Sequence, residues 1–263
     1  MRVALCYHGI SSGKNFKEGG LAVAFESEFD SIQRFLIKSN PNCDFDIYLH
    51  SWVNSNQNEV IQKLRPVDYL FENTINFNKP TMLFKFKQLV KKKLNKPYFE
   101  SNRINNIYSR WYSFQKVCEL VSKNKQKYDL IFVTRFDMVL RDSISLKNIS
   151  PEYFYSGDWE TLYNGKIELK ETDYTKVITQ NVERHKKGFP YDEEGLQDFF
   201  FIGSPTYILK DFSKIYFNLK FLIKKYGASN HLIALGKLKE DNKINIHKRV
   251  YLYFQEYFLS RWL

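Results

Sequence analysis

The chain has 263 residues, of which 43% are hydrophobic and 17% aromatic, and this composition argues against a disordered, collagen-like or coiled-coil protein. Its 40 lysine and arginine residues outnumber 29 acidic ones, giving a net charge of +11. So basic a chain is expected to bind anionic partners such as nucleotides, nucleic acid or an anionic membrane surface. Three scattered cysteines without a CxxC pair, and no apolar run long enough for a signal peptide or a membrane span, predict a cytoplasmic protein with at most peripheral contact with the inner membrane surface.

Strands and helices are predicted to alternate in the first part of the chain. Runs of apolar residues predict buried strands at 3–7, 45–50 and 66–71. A glycine-containing loop follows the first strand, and helical spacing of apolar residues over 25–36 predicts an amphipathic helix. A short polar helix separates the second and third strands. This order favours a mostly parallel sheet covered by helices on both faces.

The second part of the chain repeats the alternation less regularly. A helix is predicted at 107–124 and leads into 128–134, which is the strongest strand signal in the chain and, as a nearly continuous apolar run, a candidate central strand. Weaker patterns predict strands at 152–158, 199–202 and 243–253 and a helix at 206–223. We therefore expect one α/β domain over residues 1–263, with a basic helical insertion at 79–107 and a C-terminal extension at 224–263.

The basic excess lies in one segment. Residues 79–127 contain thirteen lysines and arginines but only two acids, an excess equal to the net charge of the whole chain. Within it, Leu83, Phe86, Val90 and Leu94 fall on one helical face, with lysines between them. Such a helix either lies on an anionic membrane surface or docks on its own domain with its lysines solvated, and the pattern favours neither alternative.

Two acidic residues stand at predicted strand ends, where open α/β sheets bind ligands. Asp137 follows the central strand and suits a divalent metal that bridges phosphates, and Arg135 suits a phosphate. The alternative is a structural salt bridge between Arg135 and Asp137. Asp198 precedes a strand that ends at Gly203. It suits a general base on an attacking hydroxyl, or else a structural cap.

Several segments together carry a resemblance. They are the N-terminal strand with its glycine loop, 45–52 (FDIYLHSW), 108–113 (YSRWYS), 128–137 (YDLIFVTRFD) and 198–204 (DFFFIGS). Their order and spacing over residues 1–223 resemble the small GT-A-type glycosyltransferases found in bacterial capsule and lipopolysaccharide clusters and in some large viruses. The resemblance implies a GT-A-like, Rossmann-like sheet. It also implies transfer of a sugar from a nucleotide-diphosphate donor to a glycan or lipid-linked acceptor in surface polysaccharide or glycan synthesis.

The resemblance also implies roles for particular residues. The N-terminal loop would meet the nucleotide through Tyr7, His8, Gly9 and Lys14. Asp137 matches the last carboxylate of the family's Asp-x-Asp metal motif and would hold Mn²⁺ or Mg²⁺. Arg135 replaces the first aspartate, so it could take over part of the charge role of the metal. Asp198 matches a functional acid near the acceptor. The nearby acids Asp192, Glu193 and Glu194 are rivals for the base, and Trp159 is a candidate for stacking on a sugar or nucleobase.

Two other functions compete with sugar transfer. The aromatic residues within the basic segment, such as Phe86, Tyr108 and Tyr112, suit a single-stranded nucleic-acid-binding protein, although no known nucleic-acid-binding motif is present and we expect no nucleic-acid partner. A nucleotidyltransferase with a similar sheet is the third possibility, because a fold alone does not determine the reaction.

Overall fold

The computed structural model describes residues 1–14, 22–53, 55–77, 86–87, 89–90, 93–94, 101–140, 142–157, 196–250 and 257–259. For 12–14, 22–25, 27, 101–102, 248–250 and 257–259 it describes the backbone alone. All structural statements below concern these residues.

The central feature is a twisted sheet of seven described strands in the order β10-β8-β9-β6-β1-β4-β5. These strands are β1 (Arg2–Gly9), β4 (Asp44–Trp52), β5 (Asp68–Glu72), β6 (Leu130–Arg135), β8 (Phe154–Gly157), β9 (Phe200–Gly203) and β10 (His247–Val250). All neighbouring pairs are parallel except those that β9 makes with β6 and β8. Two short antiparallel pairs lie outside this sheet: β2 (Ser12–Lys14) with β3 (Ala22–Ala24), and β7 (Met138–Leu140) with β11 (Tyr257–Leu259).

Helices cover both faces of the sheet. The described α-helices are α1 (Phe25–Ile32), α2 (Gln57–Leu64), α3 (Ser101–Lys123), α4 (Pro205–Lys210), α5 (Ile215–Tyr226) and α6 (Asn230–Glu240). Because side chains alternate along a strand, β1 contributes Val3 and Leu5 to a core under α1 and α2, whereas Ala4 and Cys6 join a second core under α3 to α6. The predicted α/β fold, with a mostly parallel central sheet flanked by helices, is confirmed.

The predicted helix at 206–223 is interrupted in the structure. Ser204 caps α4 by accepting a hydrogen bond from the backbone N–H of Tyr207, and a short 3₁₀-helix, Phe212–Lys214, separates α4 from α5. The ring of Phe212 is fully buried, with its centroid 4.6 Å from that of Phe154. Burying the Phe212 ring therefore stabilises the fold more than an unbroken helix over 206–223 would.

The expected insertion and extension have the following described structure. Helical turns occur at 86–87, 89–90 and 93, and α3 already begins at Ser101. Within 224–263, α6 packs against α5, and β10 forms one edge of the central sheet. Among the described residues, none of the helices is both long and apolar enough to cross a lipid bilayer.

Candidate active site

The carboxyl edge of the parallel strands brings several polar side chains together. His8 stands in register between His50 of β4 and Arg135 of β6. Because β9 runs antiparallel to β6, its amino end reaches the same edge, and Asp198 lies just before it. The strand after Asp198 thus runs beside the candidate central strand. This edge is where open α/β sheets bind ligands.

Arg135 and Asp137 form a bidentate ion pair at the end of β6. The Nε and Nη2 groups of Arg135 donate to the two carboxylate oxygens of Asp137 at 2.7 and 2.5 Å. Burial by itself would lower the pKa of Arg135, but the charges of Asp137 and Asp198 raise it. Nη1 of Arg135 lies 3.9 Å from Asp198, which is beyond hydrogen-bond distance. The guanidinium is therefore held in one orientation by a pair that does not use Nη1.

Asp198 lies between three basic side chains. Its carboxylate is 3.1 Å from Nη1 of Arg110, and its backbone carbonyl accepts a hydrogen bond from Nη2 of the same residue. Nδ1 of His231 is 3.6 Å from the carboxylate and donates to the carbonyl oxygen of Leu196 at 3.0 Å. The Asp198 side chain is only 4% exposed. Asp198 therefore links α3 to β6 through two guanidinium groups.

His8 is buried beside these arginines. It is 2% exposed, its ring meets that of Phe114 edge to face at 5.5 Å, and its Nδ1 has no hydrogen-bond partner among the described residues. Burial, together with the positive charges of Arg110 and Arg135, places the pKa of His8 well below its usual value of 6.5. His8 is therefore a neutral imidazole near pH 7. Its buried Nδ1 makes no hydrogen bond within the described part of the chain.

A chain of hydrogen bonds joins β5 to the loop after β1. Nε2 of His50 lies 2.8 Å from Glu72, Nδ1 of His50 lies 2.7 Å from the hydroxyl of Ser113, and that hydroxyl accepts the backbone N–H of Gly9 at 2.8 Å. Burial lowers the pKa of His50 despite its contact with Glu72. Neutral His50 then carries its proton on Nε2 and accepts from Ser113. We call these residues the Glu72–His50–Ser113 relay.

The relay fixes the backbone of Gly9, whose φ is +108°. A side chain at this φ would be strained, although a Cβ there would meet no atom within 4 Å. Gly9, at the end of β1, therefore combines a backbone conformation that favours glycine with open space beside it. Both features suit close approach of a ligand to the backbone.

Aromatic side chains form one wall next to the relay. The rings of Trp52 and Tyr112 stack with centroids 5.8 Å apart, and Phe77 lies 5.2 Å from Tyr112. The hydroxyl of Tyr112 donates to Glu72 at 3.2 Å, and Glu72 together with burial raises the pKa of Tyr112 to about 12. This wall gives the edge a rigid apolar border.

The described residues do not make up a metal site. Both oxygens of Asp137 accept hydrogen bonds from Arg135, and no group of three or more His, Cys, Asp or Glu side chains arranged for a metal ion occurs in the described part of the chain. A divalent ion at Asp137 would share the carboxylate with the Arg135 guanidinium or displace it. Metal binding therefore stays a prediction from the resemblance.

Not all of the predicted nucleotide residues come together at this edge. His8, Gly9 and Arg135 do, but Tyr7 points to the opposite face of the sheet because neighbouring residues of a strand alternate. Its ring is buried in the α1 and α2 core and stacks on Phe136 at 5.3 Å, so the expectation that Tyr7 meets the nucleotide is not supported. Lys14 is described only as backbone in β2, and Trp159, Asp192, Glu193 and Glu194 lie outside the described residues.

Sequence reasoning missed four residues of this site: Glu72, Arg110, Ser113 and His231. Arg110 and Ser113 stand three residues apart on α3, beside the buried positions Trp111 and Phe114. Polar residues with that spacing beside an apolar helix face could have been recognised as one cluster. Glu72 and His231 carry no such signal, since only the tertiary fold brings them to the edge.

Comparisons with known proteins show similarity to solved structures only. Neither a protein-family model nor a curated protein matches the chain. Among solved structures, the apo form of mouse xyloside xylosyltransferase 1 is similar, with a TM-score of 0.40 and 11% sequence identity over 95% of this chain and 85% of that chain. This likeness concerns the fold alone.

Proposed function

We propose that the chain is a glycosyltransferase that moves a sugar from a nucleotide-diphosphate donor to a glycan or lipid-linked acceptor. The observation that carries the proposal is the convergence of Arg110 and Arg135 on Asp198 at the carboxyl edge, next to the open backbone of Gly9. When the bond between the sugar and the diphosphate breaks, negative charge develops on the leaving oxygen. Guanidinium groups fixed at that point stabilise this charge.

We assign to Arg135 the role of hydrogen-bond donor to the diphosphate of the nucleotide sugar. Its Nε and Nη2 groups are used by Asp137, whereas Nη1 lies beyond hydrogen-bond distance of Asp198 and is directed to the same edge. A phosphate oxygen that accepts from Nη1 would meet a guanidinium whose orientation is already set. Little ordering of the side chain would then be needed on binding.

Asp198 is assigned to hold the two arginines in place. The acceptor hydroxyl needs a base, and the resemblance offers Asp198 for that role. Its contacts favour a different one, because the carboxylate is buried and already paired with Arg110. Asp192, Glu193 and Glu194 then remain the candidate bases, and the role of Asp198 as a base stays a prediction that a variant can test.

The basic segment supplies a candidate contact with an anionic membrane, where a lipid-linked acceptor would be found. Phe86 and Leu94, predicted to lie on one apolar face, are 63% and 60% exposed. This exposure supports the membrane alternative over docking on the chain's own domain. Surface lysines near anionic lipid contribute about 1 kcal/mol each, and the contribution falls with salt.

The structure gives less support to binding of single-stranded nucleic acid. Among the aromatic residues of the basic segment, Trp111 is fully buried, and Tyr112 stacks on Trp52 within the wall. These rings do not form a platform for bases. The surface of Phe86 alone does not make up a binding groove.

A thermal-shift panel tests the proposal. We expect nucleoside diphosphates and nucleotide sugars to raise the melting temperature, single-stranded oligonucleotides to leave it unchanged, and a nucleotide-sugar donor to be hydrolysed slowly without acceptor. Stabilisation by nucleoside triphosphates, with pyrophosphate release and no sugar transfer, would indicate a nucleotidyltransferase instead. Stabilisation by oligonucleotides alone would exclude the proposal.

A further inference from the structure

Helix α5 (Ile215–Tyr226) carries an exposed aromatic pair on its outer face. Phe217 is 68% exposed and Phe221 is 51% exposed, and their spacing of four residues places them side by side. The inner face packs differently, since Ile215, Leu219 and Leu222 are buried in the second core. The two phenylalanines therefore do not contribute to the packing of the domain.

Lysines surround this aromatic pair. Lys214, Lys220, Lys224 and Lys225 are all exposed, and α5 contains no acidic residue. Nearby acids pair with the two outer lysines: Asp211 is 3.9 Å from Lys214, and Glu240 is 2.6 Å from Lys225. The charge of Lys220 and Lys224, the two lysines on either side of Phe221, is thus not matched by an ion pair in the described part of the chain. We call Phe217, Phe221, Lys220 and Lys224 the α5 surface.

Helix α5 packs against α3, the helix that carries two residues of the candidate site. Tyr216, next to Phe217, packs against Tyr112 with ring centroids 5.2 Å apart and against Tyr108 at 6.4 Å. Both tyrosines belong to α3, which also carries Arg110 and Ser113. The helix that carries the α5 surface is therefore anchored to α3 through Tyr216.

We propose that the α5 surface docks the protein on a membrane that contains anionic lipids, with Phe217 and Phe221 inserted among the headgroups and Lys220 and Lys224 against lipid phosphates. Aromatic residues with flanking lysines on one helix face are typical of helices that lie in the membrane interface. A second copy of the chain fits less well, because a symmetric contact would place lysines against lysines. The proposal concerns a surface outside the basic segment and does not depend on the sugar-transfer reaction.

Binding of the full chain to vesicles is the first test. We expect sedimentation with phosphatidylcholine vesicles that contain 30% phosphatidylserine or phosphatidylglycerol, weaker binding to phosphatidylcholine alone, and loss of binding as salt rises. The double variant Phe217→Ser/Phe221→Ser should bind at least about 10-fold more weakly, as expected from loss of buried aromatic area. Lys220→Glu/Lys224→Glu should also weaken vesicle binding, and most strongly at low salt.

Matched variants control for exposure and charge. Val67 and Tyr69 are 51% and 46% exposed on or next to β5, so Val67→Ser/Tyr69→Ser should leave vesicle binding unchanged. Lys38→Glu/Lys147→Glu changes the net charge by the same amount at exposed positions outside both α5 and the basic segment, and should leave vesicle binding almost unchanged. Because all these side chains are on the surface, melting temperatures should stay close to that of the parent protein.

A local probe separates α5 from the basic segment. Phe217→Cys, in a Cys43→Ser background and labelled with an environment-sensitive fluorophore, should shift to the blue on anionic vesicles, whereas the label at Tyr69→Cys should not. Equal vesicle binding by the phenylalanine variant and the parent, together with no spectral shift, would overturn the proposal. A second result would also overturn it: the parent shows no vesicle binding but does self-associate or bind an oligonucleotide, and the phenylalanine variant loses that interaction.

Discussion

The hydroxyl of Ser113 accepts the backbone N–H of Gly9 at 2.8 Å, and this contact joins residues 104 positions apart in the chain. It places α3 directly behind the loop that begins the candidate nucleotide site. Since the same hydroxyl also contacts His50 at 2.7 Å, the position of Gly9 depends on the whole Glu72–His50–Ser113 relay. The relay therefore positions the loop without needing to touch a ligand.

Removing the Ser113 hydroxyl should loosen this loop. Ser113→Ala leaves the Gly9 N–H and His50 Nδ1 without their partner, and such a loss costs about 1–3 kcal/mol of unfolding free energy. We expect the KM for the nucleotide-sugar donor to rise about 10-fold while kcat changes less. Steady-state kinetics and chemical denaturation measure the two effects.

Ser122→Ala is the matched control on the same helix. The Ser122 hydroxyl donates to the carbonyl oxygen of Cys118 within α3 and makes no contact with the relay. Its removal should leave the donor KM unchanged. An equal rise of KM in both variants would show that Ser113 acts only through the stability of the helix.

Asp137 should be essential for donor turnover. Asp137→Asn keeps the size of the side chain but removes the charge that holds Arg135 in its bidentate pair. Loss of an oriented donor to a developing oxyanion typically costs about 10²–10³ in kcat, and we expect a loss of that size in a folded protein. Asp142→Asn, on the exposed loop that follows β7, should behave like the parent.

The same assay addresses the predicted metal. If a divalent ion bound at Asp137 supplied the charge, a chelator would reduce turnover of the parent as strongly as Asp137→Asn does, and Mn²⁺ would restore it. If Arg135 supplies the charge, the parent should keep its turnover in the chelator. Unchanged turnover of a folded Asp137→Asn protein would remove this residue from the site.

Stability should fall as the pH drops below about 6.5. His8 and His50 both have a pKa lowered from 6.5 by burial, so the unfolded chain takes up protons in a range where the folded chain does not. The free energy of unfolding should therefore be nearly constant near neutral pH and decrease below pH 6.5. Each histidine accounts for at most one proton of difference between the unfolded and folded chains, so its contribution to the slope is at most about 1.4 kcal/mol per pH unit. Urea denaturation between pH 7.5 and 5.5 measures this slope.

Replacement of either histidine should reduce the slope. His8→Asn and His50→Gln each remove one group whose pKa is lower in the folded chain than in the unfolded chain, so each should flatten the dependence on pH even if the variant is less stable overall. A slope that is identical in the parent and both variants would mean that other groups take up the protons.

The sequence predicted the fold better than the site. Long apolar runs such as 128–134 and the helical spacing around Trp111 are local patterns, and the structure places both in the core as expected. The ends of strands also singled out Arg135 and Asp198, and the structure brings these two residues within 3.9 Å of each other at one edge. Partners such as His231 come from distant segments, and no local pattern reports which of them meet.

Tyr7 shows why a correctly predicted strand does not fix the direction of a side chain. Its position near the end of β1 was correct, but whether its side chain points towards α3 or α1 depends on the parity of the strand. His8, one residue further, points towards α3 and joins the arginines. Polar character was therefore a better guide than proximity to the loop.

Asp198 provides the sharpest test of the site, because its two possible roles predict different losses. Asp198→Asn removes the charge between Arg110 and Arg135, and breaking a buried pair in this way costs about 3–5 kcal/mol. If Asp198 positions the arginines, the melting temperature should fall and the affinity for a nucleoside diphosphate should drop at least about 10-fold as their geometry is lost. Asp241→Asn, which removes the partner of Lys237 and Tyr207 away from this edge, should lower stability without changing that affinity. Calorimetric titration of both variants with the diphosphate, and transfer assays with saturating donor, separate the effects. A base would give the opposite result: normal diphosphate binding and a fall of about 10²–10⁴-fold in transfer to the acceptor.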